Sequence, residues 1–176
     1  MPILCLESNW NSRRPSNQSV VSTLETLSGI HRDTMIHLWC NTTDALTYSL
    51  RDMTYGFSIG TLYLSFHGLA DCILLADGTR IHLSGLADMM GSRFRGWNIH
   101  FGSCKTMKSP NLNSFKKDTG AAVLSGYTTS VDWVQSMAFD LLLLHEMYQY
   151  VRPSHLKRRI LKLYPDLMKL TGMVIL

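Results

Sequence analysis

Short apolar runs alternate with amphipathic stretches along this 176-residue chain, and that alternation narrows the fold more than any other feature. Strands separated by helices are joined by crossovers, which set the strands parallel and place the helices on the faces of the sheet. Ile3–Leu6, Thr34–Trp39, Thr61–Phe66, Trp97–Phe101 and Ala121–Leu124 read as core strands, and Met173–Leu176 as a final edge strand. Val20, Val21, Leu24 and Leu27 fall at helical spacing before Gly29, which supplies a stop. Thr43 or Asp44 caps a helix through Leu46, Leu50 and Met53, ending near Gly56. Ile73–Leu75 and Arg80–Leu83 flank Asp77-Gly78, a strong hairpin signal, and Ser84 starts a short helix through Leu86 and Met89. Further on, a short helix is expected around Leu112 and Phe115. A long helix is expected over Asp132–Tyr150, with Val134, Met137, Ala138, Leu141, Leu144 and Tyr148 on its buried face. A last helical stretch, Arg152–Leu170, is interrupted at Pro165. The expected fold is α/β: a three-layer α/β/α sandwich around a mostly parallel sheet. One domain is expected over residues 1–176, whether the chain is whole or part of a longer one.

Composition excludes several classes. With 45% hydrophobic and 17% charged residues the chain is globular, neither disordered nor collagen-like. Its net charge of +4 is unevenly spread: residues 1–150 carry a net −1 and residues 151–176 a net +5. Basic character is thus a property of the last segment, which argues against a nucleic-acid-binding protein. That segment reads as an amphipathic helix with a solvated basic side, or as a docking surface for an acidic partner, an anionic ligand or nucleic acid. Cys5, Cys40, Cys72 and Cys104 are widely spaced with no C-x-x-C, which argues against zinc and a disulfide framework. There is no basic segment leading into an apolar secretory stretch, and no apolar run of membrane-spanning length. A cytoplasmic protein with reduced thiols and no membrane association is expected. His145-Glu146 lacks the second histidine of a zinc motif, and no phosphate-cradling glycine motif occurs, so neither metal nor cofactor is expected.

Functional groups in parallel sheets collect just beyond the carboxyl ends of the strands. The third strand runs directly into His67-Gly68, and the fourth into Gly102-Ser103-Cys104. Parallel neighbours lie about 4.8 Å apart, so a histidine and a cysteine at adjacent strand tips can act on one substrate. A thiolate is a strong nucleophile, and a nearby imidazole can take the thiol proton or protonate a leaving amine. The amides of Gly68 and Cys104 would then form an oxyanion hole.

These blocks, LYLSFHG (62–68) and NIHFGSC (98–104), resemble the hallmark of the caspase-like cysteine peptidases, which include metacaspases, separase, gingipain-like enzymes and bacterial CHAT proteases. The intervening ILLADGTRIHLSGLADMM (73–90) looks like the family's small hairpin and following helix. AAVLSGYTTSVDWVQSMAFDLLLLHEM (121–147) resembles its fifth strand, substrate-side loop and next helix. The resemblance implies a caspase-like sandwich with a small hairpin between the His and Cys strands, Cys104 as nucleophile and His67 as general acid/base. It implies a cysteine endopeptidase, of a bacterial kind, acting on a protein or peptide substrate. An activating partner, ligand or dimerisation and a regulated effector role in antiviral defence or cell death would come with it. A second reading is a non-catalytic caspase-like module that binds a partner or a small nucleotide-derived signal.

The sequence departs from the Asp-cleaving members of that family. Gly102 stands where they have Gln, and the Thr128–Trp133 segment has no Arg. Asp132 in this segment would favour a basic residue at the cleavage site, or simply cap the following helix. Arg13 and Arg14, after the first strand, would bind an acidic residue or remain solvated. Trp133 and Tyr127 are candidates to wall the cleft, or else core residues.

Overall fold

A computed structural model of the protein describes residues 1–10, 18–52, 56–150 and 152–176. Its centre is a six-stranded sheet built from β1 (Ile3–Glu7), β2 (Met35–Trp39), β3 (Thr61–Ser65), β7 (Asn98–Phe101), β8 (Val123–Tyr127) and β9 (Met173–Ile175), in the order β2-β1-β3-β7-β8-β9. The first five strands pair parallel, and β9 closes the edge antiparallel to β8. A separate three-stranded antiparallel sheet, β4 (His67–Leu69), β5 (Cys72–Leu74) and β6 (Arg80–His82), lies between β3 and β7 in the chain.

Alternation along each strand builds the layers. Leu4, Leu6, Leu62, Leu64, Ile99 and Phe101 face one side. There they pack with α2 (Thr43–Asp52), α3 (Leu83–Met90) and α4 (Leu112–Thr119) through Leu46, Leu50, Leu86, Met90 and Phe115. Ile3, Cys5, Tyr63, Val123 and Tyr127 face the other side. They meet α1 (Val21–His31), α5 (Trp133–Met147) and α6 (Pro153–Leu163) through Leu24, Leu27, Phe139, Leu143 and Leu156. A seventh helix, α7 (Pro165–Thr171), leads into β9. The fold is therefore the expected α/β, a three-layer sandwich around a mostly parallel sheet. Among the described residues, no helix is long and apolar enough to cross a membrane.

Three local expectations are corrected. Gly29 does not stop α1; the helix continues to His31 and ends at Arg32 in a left-handed conformation (φ 52°). A Cβ at Gly29 would meet nothing within 4 Å, and one exposed helical glycine costs only about 1 kcal/mol. The last parallel strand lies at Val123–Tyr127 rather than Ala121–Leu124, because β7 pairs with Ser125 and Gly126 as well as with the apolar residues. Beyond β3, His67 begins a new strand, with His67 opposite Leu74 and Leu69 opposite Cys72.

The third correction concerns α5. Its buried residues are Ser136, Phe139, Asp140, Leu143, Leu144, Glu146 and Met147, while Val134 is 72% exposed. Of the expected core face, Leu144 is buried and Met137, Leu141 and Tyr148 are partly buried against the core, while Val134 and Ala138 are exposed. Val134, Met137, Ala138 and Leu141 line an open groove of about 360 Å³ facing Ser19, Ser22 and Thr23 of the α1 start. The helix ends at Met147, short of the expected Tyr150.

Candidate functional site

The chain adds β2 on one side of β1 and then β3 on the other, so the strand order reverses between β1 and β3 while the strands stay parallel. Their carboxyl ends splay at such a point and leave a crevice. Beside it end β7, which leads to Cys104, and β8, which leads to Trp133.

Gly68 fixes how closely the two motifs meet. A Cβ there would lie 2.3 Å from the Cys104 carbonyl oxygen, 2.5 Å from Thr106 Oγ1 and 2.8 Å from Ser103 Cβ. The His67-Gly68 backbone is thus pressed directly onto the loop that carries the cysteine, a contact only glycine permits. Gly68→Ala must displace backbone rather than a flexible side chain. It is expected to cost about 1–3 kcal/mol, read by chemical denaturation. Stability within 0.5 kcal/mol of wild type, a margin ordinary for surface changes, would contradict the contact.

Cys104 is half-buried and unpaired, whereas Cys5, Cys40 and Cys72 are buried. Burial raises all three of those thiols, Cys40 to about 11, so they stay protonated and inert. The Val131 N–H donates to Cys104 Sγ at 3.5 Å, an orientation that stabilises sulfur as it gains negative charge. Lys105, the next residue, adopts φ 60° and donates its amide to the Thr129 carbonyl at 3.1 Å. The loop after β7 is therefore stitched to the loop after β8. Gly102 is needed for a separate reason: a Cβ there would strike Tyr63 Oη at 2.6 Å. A long side chain such as Gln at this position is excluded by the same tyrosine.

His67 Nε2 lies 2.9 Å from the Trp10 carbonyl. A carbonyl only accepts, so Nε2 carries the hydrogen and Nδ1 is the basic nitrogen of the neutral ring. The Trp10 ring meets the imidazole edge-on at 4.8 Å and also meets Trp133 edge-on at 5.1 Å. Trp133 is thereby placed beside the Trp10 ring that meets His67, and it also packs, partly buried, against the core. A cavity of about 230 Å³ beside His67 is bounded by Asn9, Trp10, Leu74, Leu75, Ala76 and Gly78.

The other candidates are placed differently. Tyr127 is fully buried, and its hydroxyl donates to Asp140 and to the Ser136 carbonyl, so it cannot wall a cleft. The sheet and α5 enclose it because its hydroxyl finds acceptors there. Asp132 is the N-cap of α5, its Oδ1 accepting from the amides of Val134 and Gln135 at 3.0 and 3.1 Å. Arg13 and Arg14 lie outside the described residues. Among the described residues, no group of three or more His, Cys, Asp or Glu side chains is gathered as a metal ion would need.

Two important residues escape sequence reading. Glu7 ends β1 fully buried and accepts from Trp10 Nε1 (3.2 Å), Ser19 Oγ (2.7 Å), the Val20 amide (3.2 Å) and Ser65 Oγ (3.3 Å). His37 Nε2 is 3.0 Å from Oε2, the oxygen that Ser19 also bonds, while Trp10, Val20 and Ser65 bond Oε1. Glu7 thus holds the Trp10 segment whose carbonyl orients His67. Asp71, at φ 69° in the β4–β5 turn, accepts from Ser109 Oγ and from Asn111 Nδ2 at 3.0 Å, bracing the chain beyond Cys104.

Burial alone would raise the Glu7 carboxyl, but bonds from His37, Ser19, Val20 and Trp10 outweigh it and hold the group below its usual 4.5. With a lowered folded pKa, its contribution is full above pH 4.5 and is lost as pH falls through the folded value. Glu7→Gln is expected to destabilise by about 1–3 kcal/mol at neutral pH, because an amide NH2 replaces an acceptor among donors. It should also flatten the acid limb of the stability–pH curve. An unchanged acid limb in urea denaturation would remove Glu7 from this role.

The sequence matches, over residues 1–174, a protein family described as a family of unknown function (DUF6642). No curated protein matches it.

Proposed function

We propose that this chain, which belongs to DUF6642, a family of unknown function, is a cysteine endopeptidase working through Cys104 and His67. The observation that carries the reading is the packing of Gly68 against the Cys104 carbonyl, which joins the His67-Gly68 strand start to the cysteine loop. Two strand-end motifs of complementary chemistry follow the neighbouring strands β3 and β7, next to the point between β1 and β3 where the strand order reverses.

In this reading Cys104 Sγ attacks the scissile carbonyl and forms a thioester through a tetrahedral intermediate. The amides of Gly68 and Cys104 hold the oxyanion. His67 Nδ1 accepts the thiol proton and passes it to the leaving amine, while the Trp10 carbonyl keeps the ring oriented through Nε2. Water, deprotonated by the same imidazole, then releases the acyl group and restores the thiol. Trp133 borders the substrate, and the groove of about 360 Å³ that starts at Trp133 offers its chain an extended course. Asp132, committed to two amides of α5, serves the helix first. The partners are a peptide substrate and an activating protein, ligand or second copy, consistent with a regulated effector in the cytoplasm.

Mass-spectrometric profiling of a peptide library with wild type beside Cys104→Ala protein tests the reading. Cleavages made only by the wild type support it; identical profiles overturn it.

A further inference from the structure

A cavity of about 260 Å³ lies where the end of α5 meets α6, remote in sequence from His67 and Cys104, and is lined by Tyr150, His155, Arg158, Arg159 and Lys162. The four α6 residues are spaced i, i+3, i+4 and i+7, which puts them on one stripe of the helix. Arg158 and Lys162 are exposed, and the buried face of α6 is formed by Leu156 and Ile160. Helix packing therefore does not require these charges. Crowding like charges at i, i+4 opposes helix stability, so the stripe is costly while unpartnered.

One member of the stripe is already fixed. Arg159 Nε donates to Glu146 Oε2 at 3.2 Å, and its guanidinium carbon sits 5.8 Å from the centre of the Tyr150 ring. Glu146 is buried beneath it, and among the described residues no carboxylate lines the cavity. A rigid guanidinium, a second arginine, a lysine and an aromatic ring thus surround one opening with nothing negative in its wall.

We propose that this cavity binds a small phosphate-bearing ligand, its phosphate held by Arg158, Arg159 and Lys162 beside Tyr150. Arginine forks match phosphate oxygens bidentately, and lysine adds a compact charge. The volume suits a diphosphate or a mononucleotide rather than a larger cofactor. A nucleic-acid strand would need a longer basic track, and the first 150 residues carry a net −1.

The test is calorimetric titration of the full chain with pyrophosphate and, separately, with adenosine diphosphate. It needs no proteolysis, so it stands or falls apart from the peptidase reading. Saturable one-to-one binding is expected for at least one ligand, the better one showing whether phosphate alone or phosphate with an attached base is recognised. Arg158→Glu/Lys162→Glu should weaken it by about tenfold or more. Arg93→Glu/Lys117→Glu makes the same charge change at exposed positions elsewhere and should stay within about twofold of wild type. Circular dichroism confirms that each variant is folded. The proposal is overturned by absence of saturable binding to both ligands, by equal loss in both variants, or by binding only to nucleic acid or anionic vesicles.

Discussion

Replacing Cys104 with alanine is expected to abolish peptide cleavage and labelling by a thiol-directed peptide probe while leaving the fold intact. The expected loss in kcat is about a millionfold, the scale seen when the nucleophile of a nucleophile–base pair is removed. The structural cost is small by comparison. Cys104 is half-buried and takes one long bond from the Val131 amide at 3.5 Å, so truncation removes a single sulfur from a partly open place. A stability change within about 1 kcal/mol follows. The other three cysteines sharpen the result. They are buried, with thiols raised by that burial, so a probe should mark one site in the native protein. His67→Ala should silence cleavage to a similar degree, since the proton has no other carrier within the motif. Labelling that persists in Cys104→Ala, or moves to Cys72, would place the reactive thiol elsewhere and end the assignment.

What the sequence revealed and what it hid divide along physical lines. The parallel strands were legible because their apolar residues must serve two helical layers, as Leu4 and Cys5 do on opposite faces. The hairpin was legible because few residue pairs turn as tightly as Asp77-Gly78, which joins β5 to β6. The inner face of α5 was not. Leu141 to Leu144 are all apolar, so periodicity cannot choose among them, and the choice falls to Asp140, a polar residue drawn inward by Tyr63 and Tyr127 of the sheet. Glu7 was hidden for the same reason. A glutamate reads as the end of a strand until Ser19, Val20, His37 and Ser65, distant in sequence, converge on it. His67 and Cys104 stood out because each ends an apolar block, whereas Trp10, which holds the imidazole, follows no pattern. Hydrophobic pattern reports which side of an element is dry. It does not report which donors will meet an acceptor across the fold.

Asp140→Ala is expected to be the most damaging core substitution, costing about 3–5 kcal/mol or more against a total stability of about 5–15 kcal/mol. The carboxylate is 1% exposed and sits between the sheet and α5. Tyr63 Oη donates to Oδ2 at 2.5 Å, Tyr127 Oη donates to Oδ1, and His100 Nε2 is 2.9 Å from Oδ1. The far side of His100 is held by Ser125 Oγ at 2.9 Å from Nδ1. Truncation leaves the Tyr63 hydroxyl without its acceptor, leaves Tyr127 with the Ser136 carbonyl alone, and removes the carboxylate beside His100, all in a dry interior. In a chain this size the loss corresponds to a fall in Tm of roughly 6–20 °C. The damage should also reach the site, because Tyr63 Oη lies under Gly102, two residues before Cys104. Replacing three members together, with Asp140→Leu, Tyr63→Phe and Tyr127→Phe, should recover part of the stability, since none of these three side chains then carries a polar atom, and His100 keeps its Ser125 bond. Alkali gives an independent check. Burial first, then the Asp140 charge, raises Tyr63 and Tyr127 well above the usual 10. Their contribution is full below pH 10 and falls as pH climbs from there toward the raised folded values, because only the unfolded chain ionises readily. Tyr63→Phe should flatten that alkaline limb. An Asp140→Ala protein as stable as wild type, with the same alkaline limb in Tyr63→Phe, would show that the cluster does not hold the sheet to α5.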